Sequence, residues 1–251
     1  MCFNQPISFL FTIGSFINAQ YLRRAKFLKN DKRIWRMAAG VDYFAAMELI
    51  QFLQYFWIDQ CDSVINKILT ILGIIHIAFQ PFIANLMTSY DIPKRMEKSF
   101  DRLVMPLSIL TGIFSTSRLI GYEYFPCSDL YDPLCSKVTC TTTGRVHLRW
   151  GCRLRTGNYF TPSAFPNFFF MFVPTILAGK LRASLLLFFS GPVIGYALAR
   201  NKDEWASIWC YYTFVQCLVG SWISLNHYDQ KQARKQKDAE EYLKEQALES
   251  N

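Results

Sequence analysis

Of the chain's 251 residues, 51% are hydrophobic, 16% aromatic and only 18% charged, against roughly 25% charged in soluble domains. A net charge of +8 raises nucleic acid as a partner, but no Gly-rich phosphate loop, zinc-finger spacing or RNA-binding signature accompanies it, so nucleic acid is set aside. Apolar stretches of about 17–24 residues recur along the chain, each long enough for a hydrocarbon core of about 30 Å. The composition excludes an ordinary soluble domain and predicts an all-α integral membrane bundle of about seven transmembrane helices, with lipid as its surroundings.

In chain order, the first predicted span runs from Phe3 to Leu22 and is followed by Arg23, Arg24, Lys26, Lys29, Lys32, Arg33 and Arg36. Charge follows this span and does not precede it, which favours an N-out helix over a cleaved signal peptide. The second (Ile34 to Ile58) and third (Val64 to Met87) are joined by only Asp59 to Ser63, a connection short enough to make them antiparallel neighbours. The fourth is Val104 to Gly121, the fifth Phe160 to Gly179, the sixth Ala183 to Leu198 and the seventh Trp205 to Asn226. Residues 1–226 thus form the transmembrane domain, including a Cys-rich outer loop at 122–162, and 227–251 form a charged cytosolic tail. Pro81, Pro174 and Pro192 lie inside apolar spans, where neighbouring helices can satisfy the carbonyls they free.

This topology places 18 of the 27 Lys and Arg in cytosolic segments and nine outside, as the positive-inside tendency requires. It also turns Cys2, Cys61, Cys127, Cys135, Cys140 and Cys152 outward and leaves none of the eight cysteines in a cytosolic loop. An oxidising outer face then predicts up to three disulfides with undecided connectivity. A bridge from Cys61 to the long loop would tie that loop over the mouth of the bundle. The thiols and His147 lack the spacing of a zinc knuckle, and the expected set includes no metal. Cys210 and Cys217 read as packing residues. Plasma membrane and endomembrane both fit such an outer face.

Ionisable groups inside a span are costly unless paired or wetted. Glu48 and His76, counted along their spans, fall at similar depth and are expected to meet across the hairpin. Gln51 and Gln80 share their respective faces, and Trp205, Trp209 and Tyr212 form an aromatic stripe that, with Tyr55, walls an outward pocket. Glu48, Gln51, His76, Gln80, Trp205, Trp209 and Tyr212 are therefore the candidate ligand or proton site, with interhelical hydrogen bonding as the plainer reading for the glutamines. Asp42 is expected within reach of a basic residue such as Arg36, and Arg118 is expected to snorkel.

Met1-Cys2-Phe3, Met47-Glu48 with Gln51, Asp59-Gln60-Cys61, the string His76-Ile77-Ala78-Phe79-Gln80-Pro81-Phe82, the Cys-rich loop, and Asn201 with Glu204-Trp205 and Trp209-Cys210 together carry a resemblance. The chain resembles a family of small polytopic membrane proteins that open Met-Cys-aromatic-Ser and have no assigned activity; Asn4 departs from the Ser. The resemblance implies that Glu48, His76, Gln80 and Trp205 belong to the family's pattern, but implies no reaction and no cofactor. Three readings follow from the residues: a transporter, channel or ligand-binding protein handling a proton, cation or small ligand at Glu48 and His76; an intramembrane enzyme acting on a lipid or small molecule; and a structural subunit.

Overall fold

The computed structural model describes residues 5–24, 32–89, 92–121, 123–128, 132–156, 165–199, 201–223 and 225–226. Cys2 and the tail 227–251, with the expectations attached to them, lie outside these residues.

Helices α1 (Gln5–Arg24) and α2 (Lys32–Gln54) pack side by side, and α3 (Val64–Thr88) packs against α2 on one side and against later helices on the other. α3, with 25 residues, is the one helix among the described residues that is both long and apolar enough to cross a membrane. The next run is α4 (Lys94–Ser99), which passes through a π turn at Phe100–Val104 into α5 (Met105–Ser117). After α6 (Phe165–Leu177), the same construction recurs: α7 (Leu181–Phe188), a π turn at Phe189–Val193, and α8 (Ile194–Leu198). A 3-10 turn at Lys202–Glu204 leads into α9, residues 205–223. The protein is mostly helical, as the composition predicts. Its departure from all-α is an antiparallel hairpin in the Cys-rich segment, β1 (Cys140–Thr143) and β2 (Leu148–Gly151), with Cys140 opposite Gly151 and Thr143 opposite Leu148.

The helices bury small polar residues and expose large apolar ones. α1 buries Ser8, Thr12, Ser15 and Ala19 while Phe9, Leu10, Ile13, Phe16 and Ile17 face outward. α5 buries Ser108, Thr111 and Gly112 and exposes Leu107, Ile109, Leu110 and Ile113. The buried hydroxyls are mostly satisfied within their own helix. Thr12 donates to the Ser8 carbonyl at 2.8 Å, Ser108 to Val104 at 2.8 Å and Thr111 to Leu107 at 2.9 Å, the back-bonding that lets Ser and Thr sit inside a helix.

Proline placement knits α3 to α6. Pro81 lacks an N–H and so frees the carbonyl of Ile77, which accepts from Asn167 Nδ2 of α6 at 3.4 Å. Pro174 frees Phe170, whose carbonyl accepts from Asn85 Nδ2 of α3 at 2.6 Å. Each helix repairs the other's proline gap, the condition for tolerating proline inside a packed bundle.

The hairpin is a lid clamped from two sides. On the α2–α3 side, Cys61 is bonded to Cys140, realising the expected tie, and Asn66 donates to the Thr141 and Trp57 carbonyls while accepting from Thr141 N. Asp59, at φ 64°, receives both the amide and the hydroxyl of Thr143; Asp is one of the few residue types that visits the left-handed region, and here both carboxylate oxygens tie that turn to the hairpin. On the α9 side, Arg149 pairs with Asp203, and Ser207 donates to the Leu148 carbonyl. A second bond joins Cys127 to Cys135.

Two expectations are corrected here and a third is narrowed. Cys152 carries a free thiol: its backbone pairs with Cys135, whose sulfur is taken by Cys127, and its side chain is buried beside Ile74 and Leu154, where burial pushes the thiol pKa up. Arg118 does not snorkel; it is 6% exposed and pairs with Asp132 at 2.6 Å. Asp42 is met by a basic residue as expected, but that residue is Arg23 and not Arg36, which pairs with Asp101.

Candidate functional site

Glu48 lies on the α2 face turned into the bundle, 1% exposed, and neither carboxylate oxygen has a hydrogen-bond partner among the described residues. Ser8 of α1 approaches it without closing a hydrogen bond, and the Ser8 hydroxyl is likewise unpartnered. One helical turn outward, Gln51 Nε2 is also buried and unpartnered. Tyr55, Tyr211 and Cys210 are within electrostatic reach of the carboxylate. Buried polar atoms normally find partners, and each exception calls for a reason. Here the exceptions cluster around the Glu48 carboxylate.

Above Glu48 the lid closes the seam. Gln51 Oε1 meets His147 Nε2 at 2.7 Å and the Tyr55 hydroxyl meets Nδ1 at 2.9 Å. Gln51 Oε1 only accepts, so the imidazole hydrogen sits on Nε2 and Nδ1 accepts from Tyr55. Burial pushes the His147 pKa down from 6.5 to about 3, keeping the ring neutral. Gln54 Oε1 accepts from Trp150 Nε1 at 3.0 Å and its amide donates to Leu69 O at 3.0 Å, with Trp150 packed on Met47 and Cys210.

The lid's turn is itself held by a carboxylate. Glu204, fully buried, accepts from the amides of Arg145 (2.8 Å), Val146 (2.9 Å) and His147 (3.4 Å) and from Asn201 Nδ2 at 3.0 Å. Gly144 makes room for it, since a Cβ there would fall 2.0 Å from His147 O and 2.7 Å from Glu204 Cδ. His147, Trp150 and Glu204 are the contributors that sequence reasoning did not place at the site. The signal for them was a Thr run, Gly144, then alternation at Val146, Leu148 and Trp150, a hairpin pattern.

On the far side of α3 a cavity of about 70 Å³ is lined by Gln80, Asn167, Phe168, Trp205, Trp209 and the Arg118–Asp132 pair, among others. Phe168 stacks on Trp205 (5.5 Å) and on Trp209 (5.6 Å), and Trp205 Nε1 donates to Pro192 O at 2.8 Å. Gly191 of the second π turn permits this, because a Cβ there would come 2.5 Å from Trp209 Nε1. Gln80 Nε2 donates to Cys210 Sγ at 3.2 Å. Tyr212 is outside the cavity wall, edge-on to Tyr211 at 5.8 Å.

The predicted set is therefore split. Glu48 and Gln51 share the seam under the lid, and Gln80, Trp205 and Trp209 share the cavity. His76 joins neither: it stacks on Tyr43 at 3.8 Å, its Nε2 pairs with Tyr43 O at 2.8 Å, and the Tyr43 hydroxyl donates to His76 O at 2.5 Å. Glu48 and His76 do not bond. The contacts of His76 with Tyr43 put it beside a residue that lies five positions, ~7.5 Å, farther from the lid along α2 than Glu48.

The fold and site define a mostly helical protein with a disulfide-clamped lid over a polar interior. The chain belongs to a family of unknown function, DUF5765, whose profile matches residues 8–227, in keeping with the expected family without an assigned activity. No curated protein and no solved structure matches the chain.

Proposed function

We propose that this chain is a multi-pass membrane protein, a bundle of seven spanning runs (α1, α2, α3, α4–α5, α6, α7–α8 and α9) with its lid outside, and that it takes up and releases a proton or small cation at Glu48. The observation that carries the site is the fully buried carboxylate without a partner. The membrane reading is supported by helices that turn Phe, Leu and Ile outward and Ser and Thr inward, an arrangement that costs free energy in water and suits hydrocarbon. Both disulfides fall at one end and the pairs Arg23–Asp42 and Arg36–Asp101 at the other, as an oxidising outer side and a basic inner side require. His76, bonded to Tyr43, is structural in this reading.

Purified protein reconstituted into liposomes loaded with a pH-sensitive dye, under a potassium diffusion potential, tests it. Wild type is expected to pass protons, or sodium in a parallel flux assay, and Glu48→Gln to lose at least about ten-fold, the factor of ~1.4 kcal/mol in a barrier. Equal flux in the two proteins, or none in wild type, defeats the proposal.

A further inference from the structure

The Cys-rich segment brings three sulfurs to one place. Cys135 and Cys152 face each other across a parallel backbone bridge, in which Cys152 N donates to Leu134 O at 2.8 Å and Ser136 N donates to Cys152 O at 2.9 Å. Residues paired in this way lie about 4.8 Å apart and project from the same face. That separation falls within the Cα range of about 4.4–6.8 Å that a disulfide spans. Cys127, bonded to Cys135 at a Cα separation of 5.9 Å, packs against the buried cluster of Ile74, Cys152 and Leu154, and its amide donates to Leu154 O at 2.9 Å. Cys135 therefore has two sulfurs placed as partners and one bond to give.

The thiol left over is weakly held. Cys152 is buried, and its side-chain contact is with the Thr139 hydroxyl at 3.6 Å, a poor hydrogen bond for a poor donor. The backbone bonds that align the three strands do not involve the sulfurs, so a change of partner leaves them in place.

We propose that Cys127, Cys135 and Cys152 form an intramolecular thiol–disulfide exchange site, in which Cys152 takes Cys135 from Cys127. Cys152 loses its proton and its sulfur attacks Sγ of Cys135. The Cys152–Cys135 bond forms as the Cys135–Cys127 bond breaks, and Cys127 leaves as a thiolate that takes up the proton. Both states hold the same number of disulfides, so no oxidant or reductant is consumed. The exchange moves the tie from residues 123–128 to the end of β2, a strand already fixed to α9 through Arg149–Asp203 and Ser207. It also turns Cys127, half-buried between the exposed Pro126 and Ser128, into a thiol that reagents can reach. This site is independent of Glu48.

Trypsin separates the two states. Cleavage after Arg118, Lys137, Arg149 and Arg153 leaves Cys127 and Cys135 on one peptide and Cys152 alone on another, so a Cys135–Cys152 bond joins two peptides and the resting bond joins none. Full chain purified in detergent without reductant is mapped by mass spectrometry. In Cys127→Ser, Cys135 is expected to be bonded to Cys152 with Cys61–Cys140 retained; free Cys135 and Cys152, or Cys152 bonded to Cys2, overturns the proposal. In wild type held with iodoacetamide for hours, the timescale of uncatalysed rearrangement, label is expected on Cys127 in chains whose Cys135 and Cys152 are joined. Cys152→Ser is expected to lower Cys127 labelling at least about ten-fold, because it removes the attacking sulfur. Label on Cys152 alone with Cys127 still bonded, or equal Cys127 labelling in Cys152→Ser, overturns the exchange. The wild-type arm decides the matter should Cys127→Ser fail to fold.

Discussion

Glu204 and Glu48 are the same residue type at the same burial, 0% and 1% exposed, and differ in everything around the carboxylate. Under the lid turn, Glu204 receives three backbone amides and a side-chain amide; in the bundle, Glu48 receives none. A buried charge with donors arranged around it is a structural device, whereas one without them stands at a cost the fold does not need. The lid's carboxylate is held by four donors and the interior's by none.

The largest expected effect separates the two clamps of the lid itself. The Cys61–Cys140 bond spans 79 residues and Cys127–Cys135 spans 8; chain-entropy scaling gives about 4.5 and about 2.5 kcal/mol. Cys61→Ser should therefore lower the melting midpoint in detergent clearly more than Cys127→Ser, and equal losses would show the long bond to be dispensable. Next, Glu204→Ala leaves three turn amides without their acceptor, and a loss of about 3 kcal/mol or more is expected, read by thermal unfolding; a loss below about 1 kcal/mol would mean the cradle is ornamental.

The pH dependence follows. The folded chain holds His147 neutral down to about 3, while the unfolded imidazole protonates near 6.5. The stability due to neutral His147 is thus fully present above pH 6.5 and is lost as pH falls toward 3, at up to ~1.4 kcal/mol per pH unit. Melting curves between pH 7.5 and about 4.5 should show this slope and His147→Gln should flatten it; an unchanged slope in the variant assigns the effect elsewhere. Smallest, and opposite in sign, is Glu48→Gln: with no hydrogen bond to lose, its stability should stay or rise by up to about 1 kcal/mol, read as an equal or higher melting midpoint. A drop like that of Glu204→Ala would erase the contrast between the two carboxylates.

The helical layout was readable from apolar runs: the predicted third span, Val64 to Met87, differs from α3 by one residue, and the predicted sixth, Ala183 to Leu198, ends where α8 ends. The π turns were not readable, because Phe100–Val104 carries Asp101 and Arg102 while Phe189–Val193 carries Ser190, Gly191 and Pro192, and the two share no pattern that separates a π turn from an α turn. The pairing of Glu48 with His76 failed for a geometric reason. Depth was counted from the inner end of one span and the outer end of the next, as if α2 reached Ile58, whereas it ends at Gln54. His76 instead lies beside Tyr43, five residues or ~7.5 Å farther from the lid along α2 than Glu48. Gln51 shares the Glu48 face, as its three-residue spacing predicts, but its partner His147 comes from a hairpin whose short alternating strands carry none of the long apolar signal that marks a span.

The long disulfide also dictates an order of events in the life of the chain. Cys61 leaves the ribosome 79 residues before Cys140, an interval of roughly 4–16 s at 5–20 residues per second. During it, α3, α4 and α5 are made while Cys61 remains a thiol, and Cys127 and Cys135 emerge before its own partner does. The correct Cys61–Cys140 bond therefore forms only after the segment between them has been made and the 127–135 pair has had the chance to close first.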